Sequence, residues 1–362
     1  MKVFLAGGGT SGHIHPAVAI ADELKKQDPE TQILFCGTAK GLESQIIPSM
    51  GYPFEVIRAS QLPMKISPKT FRAVKEFLAG RKMCRKLIRE QKPDVVVGTG
   101  GFVCSPLIAA AHKEKVPILL HEQNAFPGRS NRLMSRYAKI VCTSFKGIEH
   151  YFNKHAKVVF TGHPIRGVFA DVNREKCREE LGLKPEDILI LAMGGSLGAR
   201  TVNESIVKYA TEYPDPNVKI ALSVGKQRYK EVVEQSKDWP KSIEVFEYIK
   251  NPEVYMAAAD LFIGRAGAIS CAEIQAVGVP SVLIPYPYAA QDHQTFNAKT
   301  FVDGDAGVLV PDSEALEKVP AMVHELIHDT ERLEKMRKNA LSLAIYDASR
   351  RICDEVRALA KG

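Results

Sequence analysis

Two glycine-rich turns about half a chain apart constrain this sequence more than any other feature. The first follows Val3-Phe4-Leu5-Ala6 as Gly7-Gly8-Gly9-Thr10-Ser11-Gly12-His13. The second follows Ile188-Leu189-Ile190-Leu191-Ala192-Met193 as Gly194-Gly195-Ser196-Leu197-Gly198. Each stands between a short apolar run and a helical pattern. A strand that runs through glycines into a helix N-terminus lets the backbone come close to a ligand. It also offers N–H groups with no partner inside the helix, which suits phosphate. Two such units predict an α/β chain of two nucleotide-type, Rossmann-like domains with parallel sheets, facing each other across a cleft where two substrates meet.

The rest of the chain keeps the same alternation. Strands are expected at Lys2–Ala6, Gln32–Cys36, Val95–Gly98, Ile118–His121, Ile140–Thr143 and Val158–Thr161. A second set is expected at Ile188–Ala192, Ile220–Ser223, Ile243–Phe246, Leu261–Gly264, Ser281–Pro285 and Gly307–Val310. Ile14, Ala17, Val18, Ala21 and Leu24 make one apolar helical face after the first turn,. Glu273, Ile274 and Val277 open another helix, stopped by Gly278 and Pro280,. Gly162-His163-Pro164 is the expected domain boundary, giving domains at 1–163 and 164–344,.

No apolar run approaches the roughly 18 residues of a membrane span, and Val3–Ala6 is too short for a signal peptide. Seven scattered cysteines (Cys36, Cys84, Cys104, Cys142, Cys177, Cys271, Cys353) form no C-x-x-C pair, which argues for reduced thiols rather than a disulfide framework or a zinc site,. The net charge of +7 is unevenly spread. Between Lys65 and Lys92, ten lysines and arginines face only Glu76 and Glu90, a local excess of +8. A basic surface of that kind suits lipid headgroups, nucleic acid or an acidic substrate.

Several residues carry chemistry, each with a plainer alternative. Gly7-x-Gly9-x-x-Gly12 formally matches a dinucleotide fingerprint, which also needs an acidic residue about 20 positions on, at the end of the second strand. That strand ends Cys36-Gly37-Thr38 and Glu43 comes too late, so NAD is disfavoured. His13, where the first helix begins, is either a general base or a helix-start histidine with a structural hydrogen bond. His121-Glu122-Gln123-Asn124, four polar residues at a strand's C-terminal end, either hydrogen-bonds a hydroxyl-rich ligand or is an ordinary polar loop. Gly264-Arg265-Ala266-Gly267 makes a third glycine turn into a helix, where Glu273 either holds a ribose diol or complements the helix dipole. Asp303-Gly304-Asp305 has the spacing of a D-x-D metal motif, but it stands where a turn is expected.

Together these residues resemble the GT-B glycosyltransferases, and within them the N-acetylglucosaminyltransferases of bacterial peptidoglycan synthesis. The resemblance spans nearly the whole chain. It rests on Gly8-Gly9-Thr10-Ser11-Gly12-His13, Gly100-Gly101-Phe102, His121 to Asn124, His163-Pro164-Ile165-Arg166, Gly194 to Arg200, Gly267-Ala268 to Glu273, and Gln294 to Asn297. It implies inverting transfer of GlcNAc from UDP-GlcNAc to lipid I, the lipid-linked muramyl-pentapeptide, giving lipid II without a cofactor or an essential metal. It further implies that Ser196 and Arg166 contact the pyrophosphate and Ile249 the uracil. Ala268, Ile269, Ser270, Cys271, Ala272 and Glu273 would meet the phosphates and ribose, and Asn124 and Gln294 the GlcNAc hydroxyls. Thr10, Ser11 and Gly12 would line the junction of donor and acceptor, with His13 as the base.

Two positions depart from the pattern: Ser11 stands where the family usually has Gly, and His293 where it has a second Gln. The family's final helix returns to the N-terminal domain, which places residues 345–362 there. A lipid-anchored acceptor also gives the basic segment a purpose. Phe71, Val74, Phe77 and Leu78 share a face beside Lys69, Arg72, Lys75 and Arg81. They would hold a peripheral enzyme on anionic lipids at the cytoplasmic face of the membrane, unless the helix simply packs on the sheet. The rivals are another UDP-sugar enzyme of the same fold, such as a diacylglycerol glycosyltransferase or a UDP-GlcNAc 2-epimerase, and a nucleic-acid-binding protein. The last lacks aromatics interleaved along a basic groove.

Overall fold

Runs such as Val95-Val96-Val97 have no polar alternation because both faces of their sheets are covered, the condition under which parallel sheets form,. The computed structural model describes residues 1–361 except Met64, Ile66, Ser196 and Leu197. The chain divides into two units, Met1–Ile165 with Asp347–Gly362, and Arg166–Tyr346.

The first unit holds β1 (Lys2–Gly7), β2 (Gln32–Gly37), β3 (Phe54–Val56), β4 (Val95–Gly100), β5 (Ile118–Glu122), β6 (Ile140–Thr143) and β7 (Lys157–Phe160). All are parallel, in the order 3-2-1-4-5-6-7. Strand order reverses between β1 and β4, so the crevice beyond their carboxyl ends is the topological switch point. A register shift at Ala6/Gly7 against β4 loosens the ladder at that spot,. The second unit holds β8 (Ile188–Met193), β9 (Val218–Ser223), β10 (Ile243–Phe246), β11 (Leu261–Gly264), β12 (Ser281–Leu283) and β13 (Gly307–Leu309). These are also parallel, in the order 10-9-8-11-12-13, with the switch between β8 and β11.

Two differences from the sequence expectation have physical causes. β3 was not foreseen, because it is a three-residue edge strand with Glu55 and Val56 exposed and therefore shows no apolar run,. β5 extends through Glu122, one residue beyond the expected strand, so Glu122 as well as His121 lies inside the sheet. Their ladder to β6 and a set of polar partners outweigh their low strand preference,.

In the first unit, α1 (Ser11–Gln27) buries Ile14, Ala17, Val18, Ala21 and Leu24, the face its spacing predicts. α2 (Glu43–Ser49) follows the turn after β2. α3 (Pro68–Gln91) is started by Ser67, whose N–H donates to Thr70 Oγ1 at 3.0 Å. It buries Ala73, Gly80, Cys84 and Ile88, while Phe71 is 76% exposed and Val74 and Leu78 are about half exposed. Its inner face packs on the domain and its apolar outer face stays open. The helix Ala348–Lys361 also belongs to this unit. Ile352, Cys353 and Val356 join the cluster that holds Ile20 and Leu24 of α1. Among the described residues no helix is long and apolar enough to cross a membrane, and all seven cysteines are buried free thiols.

Candidate active site

At the β1/β4 switch point, His13 occupies the first turn of α1. Its Nδ1 lies 3.1 Å from Thr10 Oγ1 and 3.2 Å from the Gly8 carbonyl oxygen. A protonated Nδ1 serves both acceptors, and that tautomer makes Nε2 the basic nitrogen. Thr99, in the irregular stretch of β4, donates from Oγ1 to the His13 carbonyl at 2.7 Å and ties β4 to α1. Gly100 and Gly101 make room for the ring. A Cβ on Gly100 would lie 2.8 Å from His13 Cδ2, and one on Gly101 would lie 2.2 Å from the Gly8 oxygen. Thr10 is exposed, and Ser11 and Gly12 are partly so.

The polar run His121 to Asn124 separates into two functions. His121, Glu122 and Gln123 are buried and only Asn124 is partly exposed. Gln123 Nε2 donates to His121 Nδ1 at 3.0 Å, and Ser144 Oγ lies 3.3 Å from His121 Nε2. Burial lowers His121 to about 3 and His163, whose ring stands edge-on to it, to about 4. Both imidazoles are therefore neutral near pH 7 and serve packing. Glu122 Oε1 accepts from Asn124 N (3.0 Å) and Nδ2 (3.3 Å). Its Oε2 accepts from Gly128 N (3.1 Å) and Asn131 Nδ2 (2.9 Å). Burial pushes this carboxyl up and the four donors oppose the push. Glu122 thus fixes Asn124, the member of the run that reaches the surface.

In the second unit, the glycine turns after β8 and β11 flank the other switch point. Ser196 lies outside the described residues. The helix Arg200–Glu212 that follows has no capping side chain and no acid in its first turn. The same holds for the helix Ala268–Val277, whose N-cap is Gly267. The first amides of that helix, from Ala268, Ile269 and Ser270, therefore meet no side-chain cap. Ala268 and Cys271 are buried, whereas Ile269, Ser270, Ala272 and Glu273 are partly exposed. Asn297 Nδ2 donates to the Ala266 carbonyl at 3.0 Å and secures the turn.

Glu273 is raised to about 7, chiefly by burial; the charge of Arg166 pulls it down and that of Glu253 pushes it up. Arg166 Nη2 lies 3.1 Å from Glu253 Oε2, and its guanidinium stands over the Phe169 ring. Ile249 is buried in the loop after β10. Gln294 Oε1 accepts from Tyr286 N at 2.9 Å, which leaves its NH2 group to donate. His293 Nδ1 lies 2.8 Å from the Ala290 carbonyl. Gln291 and Asp292, just before them, both adopt left-handed backbone, at φ 58 and 54. Strain of this kind is held in place by its surroundings, often at ligand sites. Asp303 ends a helix, and Asp305 turns back to pair with Lys335 on the surface. Among the described residues no group of three His, Cys, Asp or Glu is placed to hold a metal.

A sequence profile described as the Glycosyltransferase family 28 N-terminal domain matches residues 3–143, and one described as its C-terminal domain matches residues 189–352. The UDP-N-acetylglucosamine--N-acetylmuramyl-(pentapeptide) pyrophosphoryl-undecaprenol N-acetylglucosamine transferase of Acetivibrio thermocellus is 39% identical, over 100% of this chain and 99% of its own. The chain belongs to glycosyltransferase family 28. The transferase of the same name from Halalkalibacterium halodurans is 38% identical over the full length of both chains. The crystal structure of Acinetobacter baumannii MurG matches with a TM-score of 0.82 and 29% identity, covering 99% of each chain. These matches, with the two parallel sheets, establish the GT-B architecture. The UDP-GlcNAc 2-epimerase of Neisseria meningitidis, at a TM-score of 0.69 and 15% identity over 100% of both chains, shares the fold alone.

Three residues of this family 28 chain have partners that the sequence reading did not foresee. Glu253 meets Arg166 from 87 positions away and stands in no motif. Arg265, inside a glycine turn, donates to the Ile284 and Pro285 carbonyls and to Asp312. Glu43, set aside because it comes too late for a ribose contact, is an acceptor inside the fold: its carboxylate accepts from the Gly9 amide at 3.1 Å. Only a pairing of acidic residues with distant glycine turns could have revealed it.

Proposed function

We propose that this chain transfers GlcNAc from UDP-GlcNAc to the 4-hydroxyl of undecaprenyl-pyrophosphoryl-MurNAc-pentapeptide, lipid I, and so forms lipid II. The observation that carries this is the full-length similarity, at 38–39% identity, to transferases whose names state that donor and that acceptor.

The donor sugar is α-linked and the product β-1,4, so one inverting displacement suffices and no covalent enzyme intermediate is needed. The second unit holds the nucleotide. Amides at the start of the helix Ala268–Val277 and the Arg166 guanidinium meet the negative charge that grows on UDP as it leaves. Ser196 adds to the pyrophosphate contact, Ile249 borders the uracil, and Glu273 accepts from the ribose diol. Asn124 and Gln294 read sugar hydroxyls. Thr10, Ser11 and Gly12 border the acceptor, and His13 Nε2 takes the proton of its 4-hydroxyl. The helix amides and Arg166 can stabilise the charge on UDP without a metal.

The acceptor is membrane-bound, and the exposed Phe71, Val74 and Leu78 of α3 lie among Lys69, Arg72, Lys75 and Arg81. Apolar contact and cationic attraction together would dock the enzyme as a peripheral protein on anionic lipids. Assay of UDP-GlcNAc with lipid I and with diacylglycerol, checking the recovered donor for epimerised sugar, tests the reading. Product from lipid I alone supports it. Glycosylated diacylglycerol, or epimerised donor without transfer, overturns it.

A further inference from the structure

Glu43 is completely buried at the start of α2. Its Oε2 accepts from Gly9 N at 3.1 Å, and its Oε1 accepts from Thr38 N at 3.1 Å and Thr38 Oγ1 at 2.6 Å. Three glycines wall in the side chain. A Cβ on Gly8 would come within 2.7 Å of Glu43 Cδ, on Gly37 within 2.7 Å of Cγ, and on Gly41 within 2.2 Å of Oε1. A buried carboxylate is costly unless every oxygen is satisfied, and here it is met by donors and by space cleared on three sides.

The Gly9 N–H that Glu43 receives belongs to the same peptide unit as the Gly8 carbonyl, the group 3.2 Å from His13 Nδ1. That peptide is trans, so its N–H and C=O point in opposite directions from one rigid plane. One end faces the carboxylate and the other faces the imidazole.

We propose that Glu43, the Gly8–Gly9 peptide and His13 form a carboxylate–peptide–imidazole chain in which Glu43 is the positioning residue for the base. This rests on the role proposed for His13. The carboxylate holds the peptide in one orientation and polarises it, which strengthens the Gly8 oxygen as an acceptor. A stronger acceptor keeps the proton on Nδ1, leaves Nε2 as the basic nitrogen, and supports the imidazolium once Nε2 has taken the hydroxyl proton. The same contact occupies the Gly9 amide, so the first glycine turn does not offer that group to a phosphate.

The test is Glu43→Gln, which keeps the shape, removes the charge and sets an NH2 against donors. Turnover should fall about 10- to 100-fold, the loss expected for one charge-assisted hydrogen bond, with the KM for UDP-GlcNAc unchanged. Added to His13→Ala, Glu43→Gln should cost no further turnover, because it acts through the missing ring. The nitrogen NMR spectrum of the His13 ring should show the Nδ1–H tautomer in the wild type and lose that preference in Glu43→Gln. If Glu43→Gln does not fold, Thr38→Val removes one bond to the carboxylate and should give the same signature more weakly. Unchanged turnover and tautomer, or losses that multiply in the double variant, overturn the proposal. A His13→Ala enzyme that retains turnover overturns the base role of His13 instead, and the ring spectrum then still decides whether Glu43 sets the tautomer.

Discussion

Donor binding should take up or release a proton in a direction that Glu273 dictates. Burial raises this carboxyl from 4.5 to about 7. A ribose diol donating to it favours the charged form, so binding selects the carboxylate. Below about pH 7 a proton must leave as the nucleotide binds; above it none does. Affinity should therefore rise with pH and level off above neutrality. If the bound group returns to its ordinary value, UDP-GlcNAc should bind roughly tenfold more weakly at pH 6 than at pH 8, about 1.4 kcal/mol. UDP-GlcNAc is the right probe because its diphosphate is substituted at both ends, whereas the terminal phosphate of UDP itself titrates near pH 6. Calorimetry at pH 6 in two buffers of different ionisation enthalpy should detect close to one proton released per nucleotide. Glu273→Gln should bind more weakly and lose the pH dependence. Constant affinity from pH 6 to 8 with no proton released, or an unaltered slope in Glu273→Gln, would refute the assignment of this carboxylate to the ribose.

His13→Ala should lower turnover roughly 10²–10⁴-fold while UDP binding, measured by calorimetry, stays put; a loss under tenfold would exclude the base role. Glu253→Gln should tighten UDP-GlcNAc binding several-fold, because Arg166 no longer has a competing carboxylate and a partly exposed pair is worth about 1 kcal/mol; weaker binding would mean that Glu253 instead orients Arg166. Reversing Lys69, Arg72, Lys75 and Arg81 to Glu should abolish sedimentation with anionic vesicles, at about 1 kcal/mol per basic residue, while turnover with a short soluble acceptor survives. Sedimentation that persists and ignores salt would assign docking to Phe71 and its apolar neighbours.

The parts of the fold visible in the sequence are those whose cause is local. Ile188 to Met193 must enter a sheet and Gly194 must leave it, and both demands fall on adjacent residues. The apolar face of α1 is visible because its period is built into one helix. β3 is hidden because an edge strand of three residues needs no apolar run. The run His121 to Asn124 reads as one polar segment, yet strand pairing takes His121 and Glu122 inside and Gln123 folds back on His121. The contacts that shape the site reach further. Glu43 meets Gly9 across 34 positions and Arg166 meets Glu253 across 87. No periodicity marks such pairs, because what sets them is the order of strands at each switch point.

That order also explains why the glycine turns after β1 and β11 take different electrostatic surroundings. Neither α1 nor the helix Ala268–Val277 carries an acid in its first turn, so each on its own presents a positive N-terminus,. In the first unit the strand beside β1 is β2, and the chain leaving β2 brings Glu43 beneath the turn and spends the Gly9 amide. A fixed negative charge there disfavours a second anion and favours a ring that becomes cationic. In the second unit the acid near the turn after β11 is Glu273, whose carboxyl burial raises to about 7. The amides there remain suited to a diphosphate. The proton transfer proposed for His13 and the charge stabilisation proposed for the leaving nucleotide need opposite fields. On those proposed roles, one type of strand–glycine–helix unit would supply both, through the placement of a single carboxylate in each.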